Sequence, residues 1–208
     1  MPGTFQADIE AIRKRAREKM EDGAITAAYK ADPNKVVEVL NEALATELVC
    51  TMRYRNHYYM ASGIHAEAVA AEFKQHADQE QEHADWISER IAQLGGRPNW
   101  NPEGLTTRAH AEYKECDELE DMIGENLVAE RIAIETYAEI VLWLGSDDPT
   151  TRRLMERILE VEEEHADDMR SLLEQHTGSH RGEHAGDGAR RQQAQQQQSR
   201  RGANPRNA

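Results

Sequence analysis

Apolar residues fall at alternating three- and four-residue steps in four separate stretches of this chain, the period of a helix that buries one face. The first carries Leu40, Leu44, Glu47, Thr51, Tyr54 and Tyr58, and the second Val69, Phe73, His76, Glu80, His83, Ile87, Ile91 and Leu94. The third sets Ile123, Leu127, Glu130, Ile134, Tyr137, Val141 and Leu144 on one face, and the fourth Met155, Ile158, Glu162, His165, Met169 and Leu172. Asp32-Pro33 and Asp148-Pro149 open the first and fourth with an N-cap followed by proline at the first helical position. Gly63, Gly95-Gly96-Arg97-Pro98 and Gly145 close the first, second and third. A long polar stretch reaching about Cys116 separates the second from the third, the length needed to cross a bundle before a second antiparallel pair begins. No stretch alternates as a strand would. The pattern predicts an all-α fold: an antiparallel four-helix bundle over 32–177, with a long crossover between helices two and three. Residues 1–31 are charged with scattered apolar positions (Ile9, Ile12, Met20, Ile25) and predict a short amphipathic helix and linker outside the main core. Residues 178–208 are Gln, Arg, Gly and Asn without a core-forming residue, and predict a disordered basic tail.

Six polar residues interrupt the apolar stripes in a repeated order. The string Glu-x-Glu-His-Ala-Asp occurs as residues 80–85 and again as 162–167, and each copy follows a stripe glutamate, Glu47 or Glu130. An ionised carboxylate costs several kcal/mol to bury unless it is paired or bound to a metal. No Lys or Arg falls at the matching stripe positions, so the compensating charge has to come from elsewhere. Two divalent cations would balance four carboxylates. Residues three apart face the same side of a helix, so each Glu-x-x-His can present a carboxylate oxygen and an imidazole nitrogen together. Four carboxylates and two imidazoles in this order are the ligand set of a two-metal site inside a four-helix bundle. Such ligands without thiolate suit iron, manganese or zinc; redox chemistry favours iron. A helical scaffold without metal would leave these carboxylates unexplained.

Charge sharpens this picture. The 208-residue chain carries a formal charge of −14, yet the segment from His176 onward holds six Arg against Glu183 and Asp187, so the bundle is the acidic part and would attract cations. The basic tail could engage DNA phosphates, although a solvated linker is the commoner meaning of such a sequence. Cys50 and Cys116 are the only cysteines. With no Cys-x-x-Cys pair, no signal-peptide core and no apolar run long enough for a bilayer, the expected location is the cytoplasm. His57, His65 and His110 lack paired spacing and read as surface or capping groups. His76, one turn before Glu80, reads as a neighbour of the site or a hydrogen-bonded core group. His176, His180 and His184 read as no more than adventitious metal binders.

At these residues the chain resembles the ferritin-like superfamily, and within it bacterioferritin and the Dps-like miniferritins, from about Asn34 to Gln175. The resemblance implies that Glu47, Glu80, His83, Glu130, Glu162 and His165 hold two iron ions at a ferroxidase centre. It also implies that Tyr54, two turns beyond Glu47, is the tyrosine beside that centre, able to give a hydrogen bond or an electron; a packed aromatic is the alternative. The implied function is ferroxidase and iron storage: Fe(II) oxidised by oxygen or hydrogen peroxide, with ferric mineral held in a homo-oligomeric shell. The alternatives are a DNA-protecting, peroxide-consuming miniferritin of the Dps type and a discrete di-iron or di-manganese peroxide scavenger. Three positions depart from family patterns. Gln81 stands where bacterioferritin places its haem-ligating methionine, which argues against haem. Ile132 stands where thiol-pair miniferritins place a cysteine, which leaves Cys50 and Cys116 as unpaired thiols. Nothing here could form the Cys-x-x-Cys module of rubrerythrins.

Overall fold

A computed structural model of the chain describes residues 5–63 and 66–202, with side chains through 176. Its regular elements are helical: α1 (Ile9–Arg15), α2 (Pro33–Met60), α3 (Ala66–Gln93), α4 (Leu105–Arg108), α5 (Leu119–Leu144) and α6 (Pro149–Gly202). Helices α2, α3, α5 and α6 form the bundle as two antiparallel hairpins, α2 with α3 and α5 with α6. The boundaries follow from local chemistry. Asp32 caps α2 by accepting from the Asn34 amide at 3.0 Å, with Pro33 in the first turn. At the end of α3, Gly95 takes φ 76° and the Gly96 amide bonds back to the Ile91 carbonyl at 2.9 Å. A Cβ on Gly96 would lie 2.6 Å from both methyls of Val37, so only glycine lets this turn press against α2. Gly145, with φ 48°, turns the chain between α5 and α6.

Two apolar layers fill the bundle. At one end Leu40, Leu44, Ile87, Ile91, Tyr137, Ile140, Met155 and Ile158 pack together; at the other Tyr54, Val69, Phe73, Met122, Ile123 and Met169 do so. Glu47, Glu80, Glu130 and Glu162 lie between those layers along each helix.

The crossover is laid along α2 by hydrogen bonds that the apolar pattern does not reveal. Asn41 accepts from the Asn99 amide (2.8 Å), Thr46 from the His110 amide (2.9 Å), Arg53 donates to the Glu112 carbonyl (3.0 Å), and His57 Nε2 donates to the Lys114 carbonyl (3.1 Å). Leu105 of α4 packs on Ala45 and Val49. His57 is therefore fully buried rather than a surface group; Asn126 donates to its Nδ1 at 3.1 Å, and Arg53 Nε donates to the oxygen of the same Asn126 at 2.9 Å. Burial, then the Arg53 charge, push His57 down to about 4, so it is neutral in this network. His65 lies outside the described residues, and His110 is partly buried beside Thr46.

The N-terminal extension divides in two. Helix α1 buries no residue, as a separate amphipathic turn would. Ile25, Tyr29 and Ala31, expected in a linker, instead pack on the apolar layer, and the Tyr29 hydroxyl donates to Asp148 at 2.8 Å. The backbone of α6 is traced on to Gly202, past the end of the bundle at about 177, where the Gln-, Arg- and Gly-rich sequence offers no apolar stripe to pack. The side chains of His180, His184 and the arginines of the tail lie outside the described residues. Among the described residues no helix is long and apolar enough to cross a membrane.

Candidate metal centre

Glu47 comes from α2, Glu80 and His83 from α3, Glu130 from α5, Glu162 and His165 from α6, and all six are at most 1% exposed. They converge. His83 Nδ1 lies 3.0 Å from Glu162, 3.3 Å from Glu47 and 3.8 Å from Glu80. His165 Nδ1 lies 3.3 Å from Glu80, 3.5 Å from Glu162 and 4.0 Å from Glu130. Two overlapping groups result, each with ligand atoms within 4.8 Å of one another: Glu47, Glu80, His83 and Glu162, and Glu80, Glu130, Glu162 and His165. Glu80 and Glu162, the glutamates of the two Glu-x-x-His motifs, are common to both groups, while the stripe glutamates Glu47 and Glu130 belong to one each.

Several of these buried atoms have no hydrogen-bond partner: Glu80 Oε1, Glu130 Oε2, both carboxylate oxygens of Glu162 and His165 Nδ1. Orphaned buried acceptors are expensive, and here they all face one space. No Lys or Arg makes an ion pair with any of the four glutamates among the described residues; buried Arg53 is bonded to Asn126 and a backbone carbonyl instead. The donor set, four carboxylates and two imidazoles with unused lone pairs, fits a pair of divalent cations.

Electrostatics follow from this crowding. Burial, reinforced by Glu162 and Glu80, pushes Glu47 well above the usual carboxylate range; burial with Glu80 and Glu162 does the same to Glu130. Burial also works against ionised Glu80, but the proximity of Glu47, His165 and His83 outweighs it and holds that carboxyl low. For His165, burial opposes the imidazolium, yet the adjacent Glu162 and Glu80 carboxylates carry it up to about 11. His83 is raised in the same way by Glu162, Glu47 and Glu80. Without metal, then, protons partly take the place of cations.

Surrounding side chains fix the orientation of these carboxylates and imidazoles. Tyr54 on α2 donates its hydroxyl proton to Glu130 on α5, and Tyr137 on α5 donates to Glu47 on α2. Each tyrosine sits seven residues after the glutamate of its own helix and serves the glutamate of the other. Tyr54 lies within hydrogen-bond reach of Glu130 and Tyr137 of Glu47; the apolar stripe alone accounts for Tyr137 in the sequence, although its offset from Glu130 equals that of Tyr54 from Glu47. His165 Nε2 lies 3.2 Å from Gln79 Oε1; donation there turns Nδ1 toward the glutamates, the nitrogen that would offer a lone pair once its proton is displaced. Gln79 carried no helical or motif signal. Cys50 is buried, with a thiol raised by burial, and both it and Cys116 are free thiols.

A four-helix bundle with a buried carboxylate and histidine layer of this order defines the di-metal carboxylate class. The sequence matches the Ferritin-like domain over residues 37–178, so the chain belongs to the ferritin-like family. It is 34% identical over 135 residues to a bacterioferritin from Desulfovibrio desulfuricans, which spans 63% of this chain and 70% of that protein. A solved bacterioferritin from Desulfovibrio desulfuricans, described with a diiron site, superimposes with a TM-score of 0.60 at 30% identity, covering 68% of this chain and 79% of that one. The dodecameric thioferritin of Bacteroides fragilis, a bacterioferritin-related protein, gives a TM-score of 0.70 at 29% identity, covering 74% and 92% respectively.

Proposed function

We propose that this protein is a ferroxidase of the iron-storage type, binding two Fe(II) ions as substrate at the buried six-residue centre. The observation that carries the reading is the convergence of four carboxylates and two imidazoles, several with unpartnered atoms, where no Lys or Arg among the described residues pairs with the carboxylates. Glu47 with His83 would complete one ion and Glu130 with His165 the other, with Glu80 and Glu162 reaching both. Two Fe(II) ions give up one electron each, reducing dioxygen to hydrogen peroxide or hydrogen peroxide to water. The residues do the rest. Shared carboxylates hold the two ions at close range, Tyr54 and Tyr137 keep Glu130 and Glu47 aimed inward, and Gln79 keeps His165 in the ligating tautomer. The choice of iron over manganese or zinc rests on the bacterioferritin relatives and on the diiron site described for one of them.

Storage requires a shell of many copies. The dodecameric assembly described for the Bacteroides fragilis relative supports it, and so do exposed apolar side chains on the outer faces of two bundle helices: Met52, Tyr59 and Met60 on α2, Val128, Leu142 and Trp143 on α5. The discriminating experiment measures Fe(II) oxidation by purified protein with Glu80→Ala or Glu162→Ala. Each shared glutamate serves both ions, so the initial rate should fall more than about tenfold. Rates equal to the unmodified protein would remove the centre from this role.

A further inference from the structure

The four glutamates and two histidines repeat in the two halves of the centre, but the residues leading outward from them do not. Four and eight residues before Glu80 stand His76 and Glu72; at the same offsets before Glu162 stand Ile158 and Leu154. Three residues after His165 stands Asp168, whereas three after His83 stands Trp86. On the His83 side these positions close the bundle with apolar surface, since Ile158 is fully buried in one apolar layer and Leu154 and Trp86 pack against it. On the His165 side the same positions gather three ligand-type side chains. His76 Nε2 lies 3.4 Å from Glu72 and 3.5 Å from Asp168, and one ligand atom from each of the three falls within 4.8 Å of the others.

Hydrogen bonding fixes which nitrogen of His76 faces this group. Tyr54 gives its proton to Glu130, so its oxygen is left to accept from His76 Nδ1 at 3.1 Å. Nε2 is then the nitrogen with the free lone pair. It is fully buried, has no hydrogen-bond partner, and points at two carboxylates. A lone pair facing two anions is repulsive unless a cation lies between them. The Glu72 and Asp168 side chains are 32% and 53% exposed, so the group opens to solvent on one side and ends on His165 on the other. The His76 and His165 rings stack with centroids 3.9 Å apart.

We propose that Glu72, His76 and Asp168 form a separate single-ion site for a divalent cation, the staging point from which ions pass to the buried centre from one side of the bundle only. The staging role rests on the two-metal reading above, while the site itself does not. One imidazole and two carboxylates suit Fe(II), Co(II) or Mn(II), and two exposed carboxylates allow the ion to arrive with part of its water shell. Weak, solvent-open binding beside a tighter buried set gives direction to the transfer.

The test compares full-length protein with the double variant Glu72→Gln, Asp168→Asn, both changes at partly exposed positions that the bundle does not need for packing. Crystals loaded with Co(II) and measured at the cobalt edge should show an anomalous peak between Glu72, His76 and Asp168, absent in the double variant while the central peaks persist. In solution, the KM for Fe(II) should rise several-fold in the double variant with kcat unchanged. No peak at His76 in the unmodified protein, a peak that survives both substitutions, or an unchanged KM would overturn the proposal. A peak at His76 without central peaks would keep the single-ion site and refute the two-metal centre, so the two failures are distinguishable.

Discussion

Tyr54 and Tyr137 each satisfy a carboxylate carried by the opposite hairpin, so deleting one hydroxyl removes a hydrogen bond in the driest part of the bundle. Tyr137→Phe should leave a Glu47 oxygen unpaired, at a cost of about 1–3 kcal/mol in stability, and weaken metal binding by about 10- to 100-fold. If both tyrosines act only by orienting carboxylates, Tyr54→Phe should match it in titrations with redox-silent Zn(II); a fall in Fe(II) oxidation confined to Tyr54→Phe would assign that residue an electron-donating part. The six residues proposed as ligands are legible in the sequence because each lies on the local three-and-four period of a single helix and the motif occurs twice. Their partners are not. Gln79 and Tyr137 act across helices, and which faces meet is decided by bundle packing rather than by local spacing. The burial of His57 is hidden from the sequence for the same reason: its partners, Asn126 and the Lys114 carbonyl, come from distant segments.

Helix α6 begins at a junction that ties three segments together. Asp148 accepts from the Thr151 amide at 2.9 Å, pairs with buried Arg90 of α3 at 3.0 Å, and accepts from Tyr29 of the N-terminal extension. The sequence showed Asp148 as a cap but not as an ion-pair partner, since Arg90 is off the stripe and fifty-eight residues away. Asp148→Ala would lose the cap and strand a buried guanidinium, so a destabilisation of about 3–5 kcal/mol is expected, measured as a melting temperature lower by on the order of 10 °C. Metal content per folded chain should stay the same, because the junction lies away from the centre. At the far end of α3, Gly96→Ala would force a methyl into Val37, and chemical denaturation should report a loss of about 1–3 kcal/mol. Helix boundaries were legible because caps and glycines act locally; the route of the crossover was not, because Asn41, Thr46, Arg53 and His57 look like ordinary polar interruptions of α2 until their backbone partners are known.

For the whole molecule, the metal-free centre is a charge cluster neutralised by protons. His165 is held at about 11 in the folded chain against about 6.5 unfolded. A folded value above the unfolded one contributes stability that is complete below about pH 6.5 and disappears as pH climbs toward 11. The raised Glu47 and Glu130 act in the same direction, since ionising them inside the fold is harder than outside it. Metal bound at the proposed centre would replace those protons. The melting temperature in chelator should therefore drop from pH 6 to 10, and the increase produced by Zn(II) or Mn(II) should widen over the same interval; an increase independent of pH would contradict the charge assignment. The division into an extension, a bundle over 32–177 and a tail from 178 is testable by limited trypsin digestion, which should remove the tail while leaving the bundle and its metal content intact. Whether the tail engages DNA is read from a gel shift of the full chain against one truncated after Gln175.

The most direct test of the central claim is an anaerobic Fe(II) titration of the metal-free protein followed by rapid mixing with oxygen or hydrogen peroxide, the amplitude of the fast oxidation phase being recorded at each loading. That amplitude should rise linearly and break at two Fe(II) per chain, and the fast phase should vanish in the Glu80→Ala, Glu162→Ala double variant. A break at another ratio, or a fast phase that survives the double substitution, would contradict a two-ion centre built from these six residues.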